Sequence, residues 1–355
     1  MSSKEMIGTL RRITFNRPMI LAGDIGGTKV NLGLFELRDG RLKLAKNGSF
    51  PSRRYVRLQE LVKEFLATAE PHTIQRACFG VAGPVRNGQV QVTNLPWKVE
   101  AGELAQELNL GSASIINDLE ANGYGLAELS PEDLRTLNEG EPGASGNAAI
   151  ISAGTGLGEA GLFWDGEKHR PFACEGGHAD FAPITKLDAE LFGYLSDRFG
   201  RVSSERLLSG TGLFNIYQFL RDTKRGDEPA SLAEEISIGD PAAVISQAAL
   251  AGESSRCTQA LSLFVFYYGA EAGNLALKLM ATGGVYIGGG IAPKILARLQ
   301  QGDFLTAFFS KGRMRPLLEA IPVRVVLNPA TALLGAAHYA AYGPQSIANP
   351  LAQSA

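Results

Sequence analysis

The chain has 355 residues, 45% hydrophobic and 20% charged, and its 34 Lys and Arg against 36 Asp and Glu leave a formal net charge of −2. Its 42 glycines make up about 12% of the chain where roughly 7% is usual; they follow no period and only 17 prolines accompany them, which excludes a collagen-like or low-complexity chain. At this length one core ordinarily splits into two domains, and the near-zero charge excludes the basic stripe of a nucleic-acid surface.

Residues 1–17 carry Lys4, Arg11, Arg12 and Arg17 against Glu5, with Met6, Ile7, Leu10 and Ile13 loosely on one helical face. Their composition is that of an organelle transit peptide or of a plain N-terminal extension, and the extension is the reading adopted. The apolar run Met19 to Ala22 then enters Gly23-Asp24-Ile25-Gly26-Gly27-Thr28 and leaves as the alternating residues 30–37, the pattern of a β-hairpin around a glycine turn. A third run, Leu42 to Phe50, pairs beside it. Leu58, Leu61, Val62, Phe65 and Leu66 recur at helical spacing. Buried strands follow at Ala77 to Ala82 and Ala113 to Asn117, with a helix near Glu103 to Leu108 between them.

The pattern then restarts. A loop at Asn138 to Gly146 leads into the apolar residues 148–153, a second glycine turn at Gly154-Thr155-Gly156-Leu157-Gly158, and a strand ending before Asp165-Gly166. Helical spacing returns near 187–199, 205–221 and 256–281, followed by a strand running into Gly288, Gly289 and Gly290 and another at 322–327. Leu261 to Ala270 is the most apolar stretch, but Glu271, Asn274 and Lys278 interrupt it, so it reads as a buried helix and not a membrane span. The residues from Gly343 onward read as a frayed tail. Two halves that each open with strand, glycine turn and strand predict duplicated α/β domains facing a cleft.

A glycine turn between strands aims several backbone N–H groups at one point, which suits phosphate oxygens. Asp24 beside the first turn suits a magnesium ion, which takes few carboxylates together with waters and phosphates. Taken alone, the same residues read equally as a hairpin with an Asp stabilising its turn. Gly156 to Gly161 matches GxGxxG, and Asp180 follows at the spacing of a ribose-binding acid, but a dinucleotide site needs a helix to begin inside the motif, and here a strand continues. No Gly-Lys dipeptide exists for a Walker A loop. His72, His169, His178 and His338 form no HExxH, and there is no GxSxG elbow. Cys78, Cys174 and Cys257 are isolated, so neither a disulfide framework nor zinc is expected, and a reducing cytoplasm fits. The remaining candidates are polar residues at strand ends and loops: Asn117, Asp118, Glu175, His178 and Glu205. Each also has a plain structural reading as a cap, a loop histidine or a first-turn acid.

Taken in order, GDIGGTKVNLGLF, GVAGPV, TNLPW, IINDLEANGYG, SAGTGLGEAGL, EGGHADFAP, VSSERLLSGTGL, GGVYIGGGIAPK and NPATALLGAA resemble the bacterial-type glucokinases of the sugar-kinase/actin/Hsp70 superfamily, over about residues 19–340. The resemblance implies an α/β fold of two RNase-H-like, actin-like ATPase domains with mixed sheets around a central cleft. The small domain would comprise residues 18–127 plus 331–345 and the large one 128–330, between an extension at 1–17 and a tail at 346–355. The implied activity is transfer of the γ-phosphate of Mg-ATP to the 6-hydroxyl of glucose. Asp118 would be the catalytic base and Asn117 would hold a neighbouring hydroxyl. Glu175, His178 and Glu205 would bind hydroxyls near the anomeric end, with Asn94 contacting the sugar from the small domain. Gly26, Gly27 and Thr28 would form one phosphate loop, with Asp24 near Mg²⁺. Gly154, Thr155 and Gly156 would form the other, and Gly288 to Gly290 would lie beside the adenosine.

The resemblance also implies ATP and Mg²⁺ as cofactors, glucose as substrate and a homodimer, with no nucleic-acid or membrane partner. The related ROK kinases carry a cysteine-rich zinc motif after their EGGH-like block; here HADFAP follows without cysteine, so no zinc is expected. Lys29-Val30-Asn31 departs from the Asn-Ala-Arg of many relatives, which leaves side-chain phosphate contacts there open. A broader hexose or amino-sugar kinase is the alternative reading; a non-enzymatic sugar-responsive regulator is a remote one, because residues 1–17 leave no room for a helix-turn-helix. The glycines concentrate at 23–33, 154–161, 176–177, 210–212 and 283–290, so alanine at Gly27, Gly154 or Gly289 should impair nucleotide use more than folding.

Overall fold

The computed structural model describes residues 18–69, 73–344 and 347–348; the N-terminal segment 1–17 and His72 lie outside the described residues. Strand β1 (Met19–Ile25) is buried along its length except at Asp24. It turns at the first glycine loop and pairs antiparallel with β2 (Lys29–Arg38), which pairs in turn with β3 (Arg41–Pro51). Helix α1 (Leu58–Ala67) buries Leu58, Leu61, Val62 and Phe65, the stripe its spacing predicts. Then come β4 (Ile74–Val81), a small hairpin of β5 (Gln89–Gln91) and β6 (Lys98–Glu100), α2 (Ala101–Glu107), β7 (Ser112–Asn117) and α3 (Asp118–Gly125). β4 runs parallel to both β1 and β7, so the ends of β1 and β7 that carry Asp24 and Asn117 flank the end of β4.

The second sheet repeats the motif. It comprises β8 (Leu134–Asn138), β9 (Ala148–Ala153), β10 (Leu157–Trp164) and β11 (His169–Cys174), and is completed after an all-helical stretch. That stretch holds α4 (Lys186–Phe199), α5 (Gly210–Asp222), α6 (Ala230–Ile238), α7 (Pro241–Ala251) and α8 (Ser255–Leu279). After it come β12 (Gly284–Gly288), the short helices α9 (Leu296–Leu299), α10 (Asp303–Phe309) and α11 (Arg315–Glu319), and β13 (Val323–Val326). Helix α12 (Thr331–Tyr342) then returns to the first sheet, where β14 (Ile347–Ala348) adds an antiparallel strand beside β7. The strand orders are β14-β7-β4-β1-β2-β3 and β11-β10-β9-β12-β13-β8, six strands each and both mixed. Helix α8, whose central run Phe264 to Gly273 is almost wholly buried, is the apolar segment expected from sequence.

Two expectations are corrected. The tail read as frayed from Gly343 contributes β14. The helix expected at 205–221 begins at Gly210: Ser209 accepts from the Gly212 N–H at 3.0 Å and caps it, while Glu205 sits in a separate helical turn, Ser204–Arg206. Helices α6 and α7 and strands β5, β6, β8 and β11 carry too weak a period to be predicted from sequence. The alanine-rich α7 has no 3.6-residue period, and the edge strands β8, half-buried along most of its length, and β11, mostly exposed, lack the alternation that marks a strand.

Candidate active site

Asp118 is the first residue of α3, placed there by the end of β7. Asn117 caps the helix: its Oδ1 accepts from Leu119 N at 2.9 Å and Glu120 N at 3.3 Å, and Glu120 Oε2 accepts from Asn117 N at 3.4 Å, a complete capping box. Asn117 Nδ2 also donates to the Gly83 carbonyl at 3.2 Å. The cap thus uses the Asn117 side-chain oxygen and the bond to Gly83 one amide hydrogen, which leaves the second amide hydrogen free to donate.

Across β4, Asp24 accepts from Asn31 Nδ2 at 3.0 Å, and Asn31 Oδ1 accepts from Ser49 Oγ at 2.9 Å. Asn31 faces Asp24 across the hairpin by register. The hairpin was legible in the sequence, so this pairing follows from counting back from the turn. Burial raises the Asp24 carboxyl above its ordinary range, against the lowering effects of the Asn31 bond and the Lys29 charge. The Asp118 carboxyl is pushed up to about 7, first by burial and then by the Asp24 charge; the backbone N–H groups of Leu119 and Asp118 oppose this, and Glu175 adds to it. Two carboxylates in a desolvated recess make a site that a cation or a shared proton stabilises.

The first glycine turn is closed by Gly26 N donating to Lys29 O at 3.0 Å. Ser52, fully buried, braces it from below: its Oγ donates to Gly26 O at 2.7 Å and its N–H to Thr28 O at 3.0 Å. Gly27 lies against the TNLPW turn, since a Cβ there would stand 3.2 Å from Thr93 O and 3.3 Å from Asn94 Cβ. Trp97, 2% exposed, anchors that turn through its indole N–H to Tyr55 O at 3.2 Å, and Thr93 N donates to Ala82 O at 3.1 Å. Asn94, in the left-handed region at φ 63°, is exposed beside the loop.

Glu175 and His178 are brought beside Glu205 by backbone ties between their loops: Ser204 N to Ala179 O at 2.9 Å and Phe181 N to Val202 O at 3.0 Å. Arg201 clamps the same place, donating to His178 O and to Asp180, each at 2.7 Å. Asp180, singled out in the dinucleotide test, therefore holds a loop. The His178 and Glu175 side chains are more than half exposed, with His178 Nε2 4.0 Å from Glu175 Oε2. Glu205 Oε2 accepts from Leu157 N at 3.0 Å, linking this cluster to the second glycine turn.

That turn gathers the rest. Gly154 N donates to Gly156 O at 2.9 Å, Gly210 N at the start of α5 donates to Gly154 O at 2.9 Å, and Ile291 N donates to Ala153 O at 3.2 Å. Gly154, Thr155 and Gly156 therefore share one neighbourhood with Gly288 to Gly290 and the N-terminus of α5. The buried Tyr268 hydroxyl lies 3.2 Å from both Ile151 O and Gly288 O and accepts from Ala153 N at 3.1 Å, stapling β9 to β12. Gly289, at φ 82°, could not carry a side chain: a Cβ would overlap the Ala153 carbonyl, whereas one on Gly154 meets open space.

Sequence reasoning missed Ser52, Tyr268 and Glu159, since none belongs to a recognisable motif. Glu159 on β10 is 1% exposed and lies beneath Gly176, next to Glu175. Its carboxyl is pushed up to about 7 by burial and by Glu271. The only sequence signal for it is an acid inside an apolar strand.

The two clusters meet across α3, where Leu119 packs against Gly158. Among the described residues no group of three or more His, Cys, Asp and Glu converges on a metal position, and no helix is long and apolar enough to cross a membrane.

Comparison with known proteins gives the same picture. A family model described as glucokinase matches residues 21–342. A glucokinase of Trichormus variabilis is 46% identical over 338 residues, covering 91% of this chain and 99% of that one. A crystal structure of glucokinase from an Antarctic psychrotroph superposes with a TM-score of 0.78 at 32% identity, covering 91% of this chain and 98% of that one. The glucokinase of Balamuthia mandrillaris, crystallised with glucose, shares the fold at a TM-score of 0.76 and 21% identity, over 91% and 94% of the two chains. The expected class, a mixed α/β architecture of two actin-like domains, is the one found.

Proposed function

The chain belongs to the glucokinase family, and from that premise we propose that it transfers the γ-phosphate of ATP to the 6-hydroxyl of glucose, giving glucose 6-phosphate and ADP. The observation that carries the reading is Asp118 itself, a half-buried carboxylate opening α3 beside the Asp24 that borders the first glycine turn, with the next residue, Leu119, against Gly158 of the second. Glucose offers only hydroxyls, so recognition requires acceptors and donors in fixed directions, and we assign this to Asn94, Asn117, Glu175, His178 and Glu205.

Phosphoryl transfer has a loose transition state, so alignment and charge neutralisation do most of the work. The sugar O6 forms its bond to the γ-phosphorus as the bond from that phosphorus to the β-γ bridging oxygen breaks. The O6 proton passes to Asp118, late in the step, because a carboxylate is far too weak to remove it beforehand. We assign the backbone N–H groups of Gly27 and Thr28 and of Thr155 and Gly156 to the phosphates, with Gly26 and Gly154 closing the two turns through their own N–H groups and the α5 N-terminus behind the second loop.

Asp24 and Asp118 suit Mg²⁺, which binds through a few carboxylates, waters and nucleotide oxygens; burial raises both carboxyls, and a cation would offset that cost of holding them ionised. We assign Asp24 to hold it, through water, and when bound the ion neutralises charge on the nucleotide phosphates. The residues after Gly177 offer no cysteine for zinc until Cys257.

The division into a small domain of 18–127 plus 331–345 and a large domain of 128–330 is part of the proposal, supported by α12 packing on β1 and β4 of the first sheet. So is a homodimer, for which Phe163 and Phe172, 54% and 44% exposed on the β10–β11 edge, offer apolar surface to cover. Free Cys78, Cys174 and Cys257 support a reducing compartment, the cytoplasm. The deciding experiment is a coupled assay of purified protein with Mg-ATP and glucose, mannose, fructose and N-acetylglucosamine. Glucose should give the highest kcat/KM; glucose binding without transfer would sink the proposal, and equal use of the other sugars would make it a broader hexose kinase.

A further inference from the structure

The end of α3 opposite Asp118 opens into a cavity of about 310 Å³. Its walls come from the α3 end, from α12, from the β10–β11 hairpin and from β12, so elements packed on both sheets enclose it. The volume lies at the lower limit for a small-molecule pocket, roughly 300 Å³. Tyr124, Trp164, Tyr286 and Tyr342 present rings to it, while Lys168 and Arg170 present cations. Trp164 is set by His169, with ring centroids 5.0 Å apart.

The charges do not cancel within the protein. Asp165 is satisfied by the N–H groups of Glu167 and Lys168 at 3.0 and 2.9 Å and by Arg170 Nε at 2.6 Å. Glu128 is taken by His338 Nδ1 at 2.6 Å. That leaves the exposed Lys168 ammonium with no ion pair among the described residues, while Arg170, its charge paired with Asp165 through Nε, keeps its terminal nitrogens as donors. Ring faces beside an unpaired cation and free guanidinium donors recognise a planar ring that carries an anion.

We propose that this cavity is a regulatory binding site for a planar heteroaromatic anion of the size of a nucleoside monophosphate, distinct from the cleft. Its coupling to Asp118 is mechanical. Tyr124 is six residues along α3 from Asp118 and the helix rises 1.5 Å per residue, so it lies about 9 Å along the axis from it. The helix is locked on both sides: Gly123 meets Pro171 of β11, and a Cβ on Gly125 or Gly335 would overlap the Thr331 or Ala121 carbonyl at the α12 contact. A ligand that spreads or draws together the hairpin and α12 therefore moves α3 as a unit, and Asp118 with it.

Trp164 supplies the readout, because the other tryptophan, Trp97, is buried beside the first sheet. AMP is titrated into the full chain while glucose and a non-hydrolysable ATP analogue saturate the cleft. A saturable fluorescence quench with a midpoint of about 10 μM to 1 mM is expected. Lys168→Ala, at an exposed turn position that leaves folding intact, should weaken it about five-fold or more, and adenosine and inorganic phosphate should each bind more weakly than AMP. The same AMP range should change kcat by about two-fold or more.

Loss of the quench when the cleft is saturated would place AMP in the cleft and overturn the proposal, as would an unchanged midpoint in Lys168→Ala. Adenosine binding as well as AMP removes the anion requirement, and phosphate binding as well as AMP removes the ring. Binding without any change in kcat removes the regulatory role. Binding is measured independently of the kinase reading, so failure of one is distinguishable from failure of the other.

Discussion

Asp118→Asn should abolish turnover and at the same time make the protein harder to unfold. In the folded chain the Asp118 carboxyl stands at about 7 against an ordinary 3.8, chiefly through burial and the neighbouring Asp24. Below 3.8 both folded and unfolded chains hold the proton. Between there and about 7 the unfolded chain has released it while the folded chain still binds it, so stability falls as pH rises through this window and the full cost remains above it. A shift of roughly 3 units at 1.36 kcal/mol each sets an upper bound of about 4 kcal/mol, which the neutral amide removes. At about pH 8 the variant should therefore melt about 2–6 °C above the parent, and the difference should vanish near pH 4. Thermal unfolding followed by circular dichroism across that range measures it, beside a coupled assay in which kcat falls by about 10² to 10⁴ while glucose affinity stays within a few-fold. A variant that melts below the parent at the higher pH, or by an amount independent of pH, would refute the burial argument; an unchanged kcat would remove Asp118 from the reaction.

Other outcomes follow from the same geometry. Because the Asp24 charge helps to raise Asp118, Asp24→Asn should move the acid limb of the kcat/KM profile for glucose to lower pH, by up to about one unit; a limb that stays or rises would contradict it. Gly154→Ala should fold like the parent and raise the KM for ATP, since its Cβ meets open space, whereas Gly289→Ala should lose about 1–3 kcal/mol of stability from its left-handed backbone and the Ala153 carbonyl. Denaturant titration of both variants checks this, and the opposite order of stability would overturn it. Ser52→Ala removes the bond to the Gly26 carbonyl, so we expect about 1 kcal/mol less stability and a several-fold higher KM for ATP with glucose KM unchanged; initial-rate kinetics in which glucose KM rises instead would show that Ser52 supports the sugar side.

The expectation that glycines at the turns serve the nucleotide first is thus divided by the structure. At Gly154 a side chain would meet open space, so the fold does not require the glycine, whereas Gly289 is needed by the fold. A sequence shows that a glycine follows a strand; whether a neighbouring carbonyl occupies the space its side chain would take depends on β9 lying beside β12, which only packing establishes. The helices flanking Glu205 make a similar point. The apolar spacing is continuous from 205 to 221, yet Ser209 caps the helix and sets Glu205 free to reach Leu157.

What the sequence by itself determined was local and periodic. The β1–β2 and β9–β10 hairpins, the stripe of α1, the buried centre of α8 and the strand ends carrying Asp24 and Asp118 all follow from alternation, helical spacing and turn chemistry. The tertiary structure decided which of those ends face one another. Burial raises the Asp24 and Asp118 carboxyls where β4 sets the ends of β1 and β7 on either side of it, and Glu205 reaches the second glycine turn while its own turn is tied to the loop of His178. Desolvation and charge repulsion depend on distances through space, and only the packed structure brings Asp24 and Glu175 close enough to Asp118 to raise its carboxyl.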